Sequence, residues 1–508
     1  MLEFRNSPAE PLLTTWSDEY PVDISVTQAN AKTPVVFLEG DGIGPEIANA
    51  ARKVIDAAFP HIEWVEHTAG DMALQTGAAS GVSDEALEAI AKIGTVFKGP
   101  LTTVLGPGGK NPNTTIRKLF ELYANVRPVM TLPGVRTAYA NQDVDMILIR
   151  DNIEDYHAGI EHMQTPDVIQ SLNLTSRSGS ERINRFAFEL ARAFGRDRVT
   201  CATNAGGMKL AESLFRTMFE EVAADYPEVM ANHVGLEACV QSVVTKPAHL
   251  DVVVTSNMSG DIPGDLAAGM AGGLSLVPSA NIGTHAAVFE PAHGTVADLA
   301  GQNYANPTAM ILSGIMMLRH LGAFKAASQI EHALYVTLEE GRYVTPDLAV
   351  TYPGVTTDTF VKAITDNLGE ASALVVERDL DFILMPTTPV GNSSNISRSF
   401  DGLDVFIEWD GSVDMLASKL NLVVAGQPFA LESLSNRGTP LYPSVRENAE
   451  PVNHWCGRFN YTGRKKKSGL QRDICALLEA VGKIGNWMHI ERLQSFNGKP
   501  AYSSGQGT

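Results

Sequence analysis

Apolar runs bounded by turn residues recur along the chain. The run Pro34-Val-Val-Phe-Leu38 leads into Glu39-Gly-Asp-Gly-Ile-Gly-Pro-Glu46, which reads as a buried strand, a glycine-rich turn and a helix start. Strand-like Thr95-Val-Phe97, Met146-Ile-Leu-Ile149, Val199-Thr-Cys-Ala202 and Val252-Val-Val-Thr255 follow, separated by helical stretches. That alternation predicts an α/β fold. One helix carries a start signal: Ser178-Gly-Ser-Glu181 has capping-box spacing, and Ile183, Phe186, Ala187, Leu190 and Phe194 then fall on one face. It is a core-facing helix without chemistry of its own.

After about residue 370 the pattern changes. Residues 371–400, rich in Pro, Ser and Asn from 385 to 397, read as a linker. Beyond 401 the predicted order is strand 403–408, helix 412–421, strands 428–434 and 455–461, helix 470–482 and strand 486–491. This βαββαβ order is that of a ferredoxin-like α+β domain, placed at 401–495 with a tail at 496–508. Residues 1–33 read as an N-terminal arm, and no internal repeat is visible.

With 508 residues and 44% hydrophobic content, the chain can support two or three domains with real cores. Its net charge of −19 argues against general affinity for nucleic acid or anionic membrane, and an anionic ligand must be drawn in by a local positive cluster. The lysine run Arg464-Lys-Lys-Lys467 has no aromatic residues interleaved and reads as a solvated turn. Cys201, Cys239, Cys456 and Cys475 form no CxxC pair, giving neither a disulfide framework nor a zinc motif. No apolar run is long enough to span a membrane and no export signal is seen, so a reducing cytoplasm is the expected location.

Candidate chemistry begins with Asp261 and Asp265, four apart in Asn257-Met-Ser-Gly-Asp-Ile-Pro-Gly-Asp265. With Pro263 in the first turn of a helix, both carboxylates project from a helix start, and hard oxygen ligands so arranged suit Mg²⁺ or Mn²⁺. The alternative is a helix cap at Asp261 with Asp265 complementing the dipole. A second group runs from Lys98-Gly-Pro-Leu-Thr-Thr103 to Asn111-Pro-Asn-Thr-Thr-Ile-Arg117 and on to Arg127-Pro128, where a turn is expected to bring Arg117 and Arg127 to one cleft. Arg150, ending the strand 146–149, adds a third fork, and three forks suit a polycarboxylate. A third group comprises Pro278-Ser-Ala-Asn-Ile-Gly283, Glu290-Pro-Ala-His293-Gly-Thr-Val-Ala-Asp298 and Asn306-Pro-Thr308, glycine-bearing loops suited to holding a nucleotide. Gly40-Asp-Gly-Ile-Gly44 does not match the Rossmann fingerprint.

From 34 to 370 these motifs together resemble the decarboxylating isocitrate and isopropylmalate dehydrogenases, and Glu161-His-Met-Gln-Thr-Pro166 points to the isocitrate branch. The C-terminal unit, through Ser435-Asn-Arg-Gly-Thr439 and Trp487-Met-His489, resembles that of the long bacterial isocitrate dehydrogenases. The resemblance implies a two-domain α/β fold, with a large domain at about 34–121 and 300–370 and a small domain with a clasp at about 122–299. It also implies a homodimer whose subunits complete each other's sites. By the same resemblance Asp261 and Asp265 bind the metal, joined by Glu237 where the family has an Asp from the partner subunit. Arg117, Arg127 and Arg150 hold the substrate carboxylates, and Asn113 hydrogen-bonds substrate. Thr103 and Glu290 lie near the nicotinamide half, and His293, Gly294, Asp298 and Asn306 surround the adenosine half. Family members using NADP have Lys-Tyr where Asp298-Leu299 stand, and a carboxylate repels a 2′-phosphate, so NAD is expected in preference to NADP.

Departures from the family pattern concern proton handling. His157 stands where the family has the tyrosine that protonates the enol, with Tyr156 before it; an extended backbone there points the two side chains to opposite sides. Asn204 replaces the lysine that relays the hydroxyl proton, Gly206 replaces an asparagine, Asn111 replaces a substrate-binding serine and Asp151 a glutamate. An amide is no base near neutral pH. Three readings stay open: an NAD-dependent isocitrate dehydrogenase with a rebuilt relay, a catalytically silenced homologue that retains ligand or subunit binding, and a dehydrogenase of a related 2-hydroxy acid.

Overall fold

The computed structural model describes residues 32–103, 111–140, 142, 144–373, 396–443, 450–463 and 469–503. Most of the expected N-terminal arm, the bulk of the linker, the Arg464–Lys467 run and the last five residues of the tail lie outside the described residues. Two compact units are present, one drawn from Met1–Ile153, Arg182–Thr203 and Phe219–Pro386, the other from Glu154–Glu181, Asn204–Met218 and Thr387–Thr508.

In chain order the described elements begin β1 (Thr33–Leu38), α1 (Gly44–Ala58), β2 (Ile62–Glu66), α2 (Asp71–Gln75), α3 (Asp84–Ile93), β3 (Thr95–Lys98), α4 (Pro112–Leu119), β4 (Ala124–Met130) and β5 (Asp145–Asp151). A hairpin of β6 (Glu161–Thr165) and β7 (Val168–Ser171) precedes α5 (Arg177–Ala193), β8 (Arg198–Thr203), α6 (Ala211–Ala223), β9 (Met230–Gly235), α7 (Leu236–Thr245), β10 (Val252–Thr255) and α8 (Asn257–Ala271). Then come β11 (Pro278–Ile282), β12 (Ala287–Pro291), α9 (Thr308–His320), α10 (Phe324–Glu340) and α11 (Thr357–Asp366). The C-terminal segment holds β13 (Arg398–Glu408), α12 (Val413–Val424), β14 (Phe429–Asn436), β15 (Thr439–Tyr442), β16 (His454–Tyr461), α13 (Leu470–Gly482), β17 (Trp487–Phe496) and β18 (Lys499–Pro500).

The first unit is built on a ten-stranded mixed sheet of order β2-β1-β3-β12-β11-β4-β5-β10-β8-β9. Two parallel wings flank an antiparallel centre in which β11 pairs with β12 and β4, and β4 with β5. Strands β3, β11 and β12 are buried along their full length, so no polar alternation marks them in the sequence. Helices follow their local signals. Pro45 opens α1, whose Ile47, Ala51, Val54 and Ile55 face the core; the Ser83 side chain caps α3 by accepting from Ala86 N, and Gly94 at φ 78° ends it.

Helix α5 starts earlier than the capping-box spacing suggested. Ser178 lies inside it, and the capping interaction is made by Ser176, whose hydroxyl accepts from Gly179 N at 3.0 Å. The expected apolar face is present, with Ile183, Phe186, Ala187 and Leu190 fully buried.

In the second unit the sheet order is β15-β14-β16-β13-β17-β18, all antiparallel. Its inner four strands have the ferredoxin-like order, with α12 and α13 contributing Leu416, Leu420, Ile474 and Leu477 to a core that includes Leu403, Val405, Ile407, Trp455 and Phe459. The strands β15 and β18 extend this sheet at its two edges. The β6–β7 hairpin belongs to the same unit: Thr165 donates to Asn453 Oδ1 at 2.8 Å, and His489 Nδ1 meets Gln164 Oε1 at 3.2 Å.

Candidate functional site

Asp261 and Asp265 lie in the middle of α8, because this helix begins at Asn257 and carries Pro263 inside it. The expected helix start and the alternative of a cap at Asp261 are both corrected; Ser256 occupies the N-cap position. The four-residue spacing keeps both carboxylates on one face. That face meets two arginines: Arg150 Nη1 pairs with Asp261, and Arg127 reaches Asp265 at 3.1 Å and Asp261 at 3.5 Å. Close approach requires glycine on the helix. A Cβ at Gly260 would lie 2.5 Å from Arg150 Cβ, and one at Gly264 3.3 Å from Arg127 Nη1. The glycines one turn apart therefore seat the two arginine side chains against the helix that carries the aspartates.

Arg127 itself sits within the strand β4, which runs straight through Pro128 to Met130, so the turn expected at Val126–Pro128 is not formed. Its pairing strand β5 places Arg150 directly opposite Asn125. Arg117, in the last turn of α4, donates to Glu290 Oε1 at 3.1 Å. Asn111 is the N-cap of that helix, its side chain accepting from Thr114 N at 3.2 Å, while Asn113 donates to Leu101 O at 3.3 Å and accepts from Lys98 Nζ at 3.0 Å.

Lys98 is buried at the end of β3 and was not singled out in the sequence, although a lysine closing an all-buried run is a signal in itself. Its ammonium donates to Gly99 O and Asn113 Oδ1 and forms an ion pair with Glu290. Burial alone raises the Glu290 pKa, but the adjacent charges of Lys98 and Arg117 overcome it and hold the carboxyl at about 2. For Lys98, burial pushes the ammonium below its ordinary value against the raising effect of Glu290. Glu290 thus lies under Arg117 as a buried counter-ion.

The glycine-rich turn after β1 serves loop packing. A Cβ at Gly40, which has φ 82°, would collide with Pro100 O, and the buried Asp41 carboxylate accepts from Asp71 N at 2.8 Å and Thr102 N at 2.7 Å. Thr103 follows, exposed. Of the expected adenosine-side residues, His293 Nδ1 donates to Gly294 O at 2.9 Å, and its buried Nε2 has no partner among the described residues. Burial lowers its pKa, so the neutral ring presents Nε2 as an acceptor. Asn306 stands just before α9, accepting from Thr308 N at 3.0 Å and donating to Asp347 Oδ2 at 2.9 Å. Asp298 is exposed on a short 3₁₀ turn, and Glu237 is exposed in the first turn of α7.

His157 and Asn204 belong to the second unit. The segment around His157 is a 3₁₀ turn, Tyr156–Ala158, and not extended backbone. Asp155 closes it by accepting from Tyr156 N at 2.8 Å and Asn173 Nδ2 at 2.5 Å, and Gly159 at φ 71° ends it. Successive side chains here differ by about 120° instead of 180°. Tyr156 and His157 are both exposed, the tyrosine hydroxyl lying 3.7 Å from Met208 Sδ. Asn204 forms a local turn: its Oδ1 accepts from Gly207 N at 3.2 Å and its backbone N–H donates to Glu212 at 2.9 Å. Gly206 and Lys209 are exposed.

Residues 34–364 match the family model described as isocitrate/isopropylmalate dehydrogenase. The chain belongs to that family. Residues 398–508 match the C-terminal domain of bacterial isocitrate dehydrogenase. The isocitrate dehydrogenase [NADP] of Thermus thermophilus is 43% identical over 98% of this chain and 99% of that protein. The enzyme of the same name from Rickettsia bellii is 35% identical over 94% of this chain and 99% of its own. The crystal structure of the TT0538 protein, also from Thermus thermophilus, matches with a TM-score of 0.89 at 43% identity, covering 94% of this chain and 96% of that one.

These relatives overturn the expected NAD preference of this isocitrate/isopropylmalate dehydrogenase family member, since those spanning nearly the whole chain are named for NADP. The inference rested on Asp298-Leu299 in place of Lys-Tyr and on the Asp298 carboxylate facing the ribose. That group is exposed, and no hydrogen bond or ion pair from the described residues fixes it toward a ribose. For a divalent cation the described residues supply a partial donor set. No three His, Cys, Asp or Glu side chains converge among them, but Asp261 and Asp265 offer hard oxygens on one helical face. Among the described residues, no helix is long and apolar enough to cross a membrane.

Proposed function

We propose that this chain binds isocitrate with a divalent cation, Mg²⁺ or Mn²⁺, and carries out its oxidative decarboxylation to 2-oxoglutarate with a nicotinamide dinucleotide at a rate limited by proton handling. The observation that carries this reading is the convergence of Arg127 and Arg150 on Asp261 and Asp265. The arginines match the carboxylates of a tricarboxylate and the aspartates match a cation, so ligand and cation together repeat the sign pattern of the Arg–Asp pairs. Arg117, Arg127 and Arg150 hold the carboxylates, and Asp261 and Asp265 hold the cation, with Glu237 assigned to the paired subunit's site in a homodimer. When bound, such a cation polarises the substrate's oxygens and lowers the pKa of the hydroxyl. His293 Nε2, an acceptor without a donor among the described residues, suits an exocyclic amine on the adenine ring.

What the protein's own residues do least well is move protons. The amide of Asn204 accepts from Gly207 N within its turn and cannot take the hydroxyl proton near neutral pH. His157 is exposed on its 3₁₀ turn and is assigned the donor role, for which a protonated imidazole carries the proton. The same observation at Asn204 favours a second reading, a silenced homologue that binds without turnover. Reduction of nicotinamide dinucleotide by isocitrate and Mn²⁺ separates the two, comparing the chain with the triple variant Asn204→Lys, Gly206→Asn, His157→Tyr. A positioned acid or base contributes about 10²–10⁴-fold, so a gain of that order is expected in the variant over a slow parent. A parent with no turnover that binds isocitrate and Mn²⁺ by calorimetry establishes the silenced reading, and absence of binding removes isocitrate.

A further inference from the structure

The Pro278–Gly283 motif was read from the sequence as part of a nucleotide loop, yet its Asn281 lies inside the central sheet. Asn125 and Asn281 face each other across β4 and β11, each 1% exposed. Asn281 Nδ2 donates to Glu290 Oε1 at 2.6 Å, and Asn281 Oδ1 accepts from Asn125 Nδ2 at 3.0 Å and from Asn152 Nδ2 at 2.7 Å. Asn125 Nδ2 also reaches Ser279 Oγ at 2.8 Å, and Asn125 Oδ1 accepts from Arg127 Nε at 2.8 Å. The chain therefore runs from a buried anion to a site cation through two amides.

Each end dictates the same polarity. An ionised carboxylate only accepts, so Asn281 must present its amino group to Glu290 and its oxygen to Asn125. A guanidinium only donates, so Asn125 must present its oxygen to Arg127 and its amino group to Asn281. Neither amide can flip without opposing like groups in a buried setting, where an unmatched polar contact is costly. With Nε fixed in this way, the Arg127 Nη atoms are left directed at Asp265 and Asp261.

We infer that Asn125 and Asn281 are positioning residues, using the charge of Glu290 to preset the orientation of the Arg127 guanidinium for a ligand carboxylate. The inference rests on the carboxylate-binding role given to Arg127 above. Asn281→Asp sets two carboxylates against each other, and their repulsion drives the introduced side chain away from Glu290 and so out of register with Asn125. Adding Glu290→Gln restores a donor facing the introduced carboxylate and conserves total charge. In crystal structures, Arg127 is expected to leave Asn125 in the single variant and return in the double. By calorimetry with isocitrate and Mn²⁺, affinity should fall by about tenfold and recover, the size typical of coupling within one hydrogen-bonded network. Asn281→Ser, too short to bridge Glu290 to Asn125, gives the same Arg127 release if the aspartate variant does not fold. An unmoved Arg127 in either single variant, or unchanged isocitrate affinity in a folded one, overturns the inference. A parent that binds no isocitrate defeats the substrate assignment instead, and the crystallographic comparison still decides the positioning role.

Discussion

Replacing Glu290 by glutamine tests whether the buried charges beneath the arginines stabilise the sheet or merely occupy it. The carboxyl is held at about 2 against an ordinary 4.5. At about 1.36 kcal/mol per pKa unit, that difference corresponds to about 3 kcal/mol of folded-state stability near pH 7. Removing one partner of a buried ion pair costs about 3–5 kcal/mol by a separate route, since Lys98 and Arg117 then face each other without an anion. The sign follows from the depressed pKa: the contribution is complete above the unfolded value and is lost as pH falls toward the folded one. Linkage keeps most of this contribution at pH 4 and roughly half of it at pH 3. Hydrogen-exchange mass spectrometry on peptides covering β11 and β12 reads this locally, with parent and variant compared at each pH. The gap in protection between them should shrink by roughly half between about pH 7 and pH 3. A gap that stays constant, or widens on acidification, refutes the assignment of a charged Glu290 as the organising anion.

Two further outcomes are expected. Gly260→Ala should destabilise the first unit by about 1–3 kcal/mol, the usual cost of overpacking, and weaken isocitrate binding, because the added methyl drives into Arg150 Cβ; denaturant melts and calorimetry check it, and unchanged binding in a folded variant contradicts the seating role of the glycine. In the second unit Phe406 stacks on His489 at 3.9 Å and lies 5.3 Å from His454, the two imidazoles being 6.3 Å apart, and burial lowers both imidazoles, helped at His489 by the neighbouring His454 and His162. Their folded pKa values lie below the ordinary 6.5, so the stability they contribute is present above that pH and is lost as pH falls below it. The thermal midpoint of this unit should therefore drop on acidification through that range, and drop less in a His454→Gln, His489→Asn variant; equal drops contradict the account.

Local signals carried much of the fold. The six C-terminal elements were legible because apolar residues recur at alternate positions, as the buried Leu403, Val405 and Ile407 do in β13, and each helix has an apolar stripe, as in the buried Leu416, Ala417, Leu420 and Val424 of α12. The central antiparallel strands were not: Pro278–Ile282 and Ala287–Pro291 are buried throughout, and their pairing depends on contacts with β3 and β4 far away in sequence. Pro263 was misleading because α8 accommodates it in its interior. At the site, the arginines and aspartates announced themselves through residue type and spacing. Lys98, Asn125 and Asn281 did not, since their meaning lies in which groups face one another across strands. Cofactor choice failed for a related reason, because the charge of Asp298 says nothing about what its exposed side chain meets.

The composition of the second unit bears on how the gene for this protein can be cut. The segments holding His157 and Asn204 cluster with the C-terminal ferredoxin-like sheet, and the β6–β7 hairpin is hydrogen-bonded to it through Thr165 and Gln164. A shortened chain ending near residue 370 would remove that support from a region some two hundred residues upstream. The C-terminal domain therefore shares one unit with these segments, and deleting it would take away Asn453 and His489, the partners of the hairpin's Thr165 and Gln164.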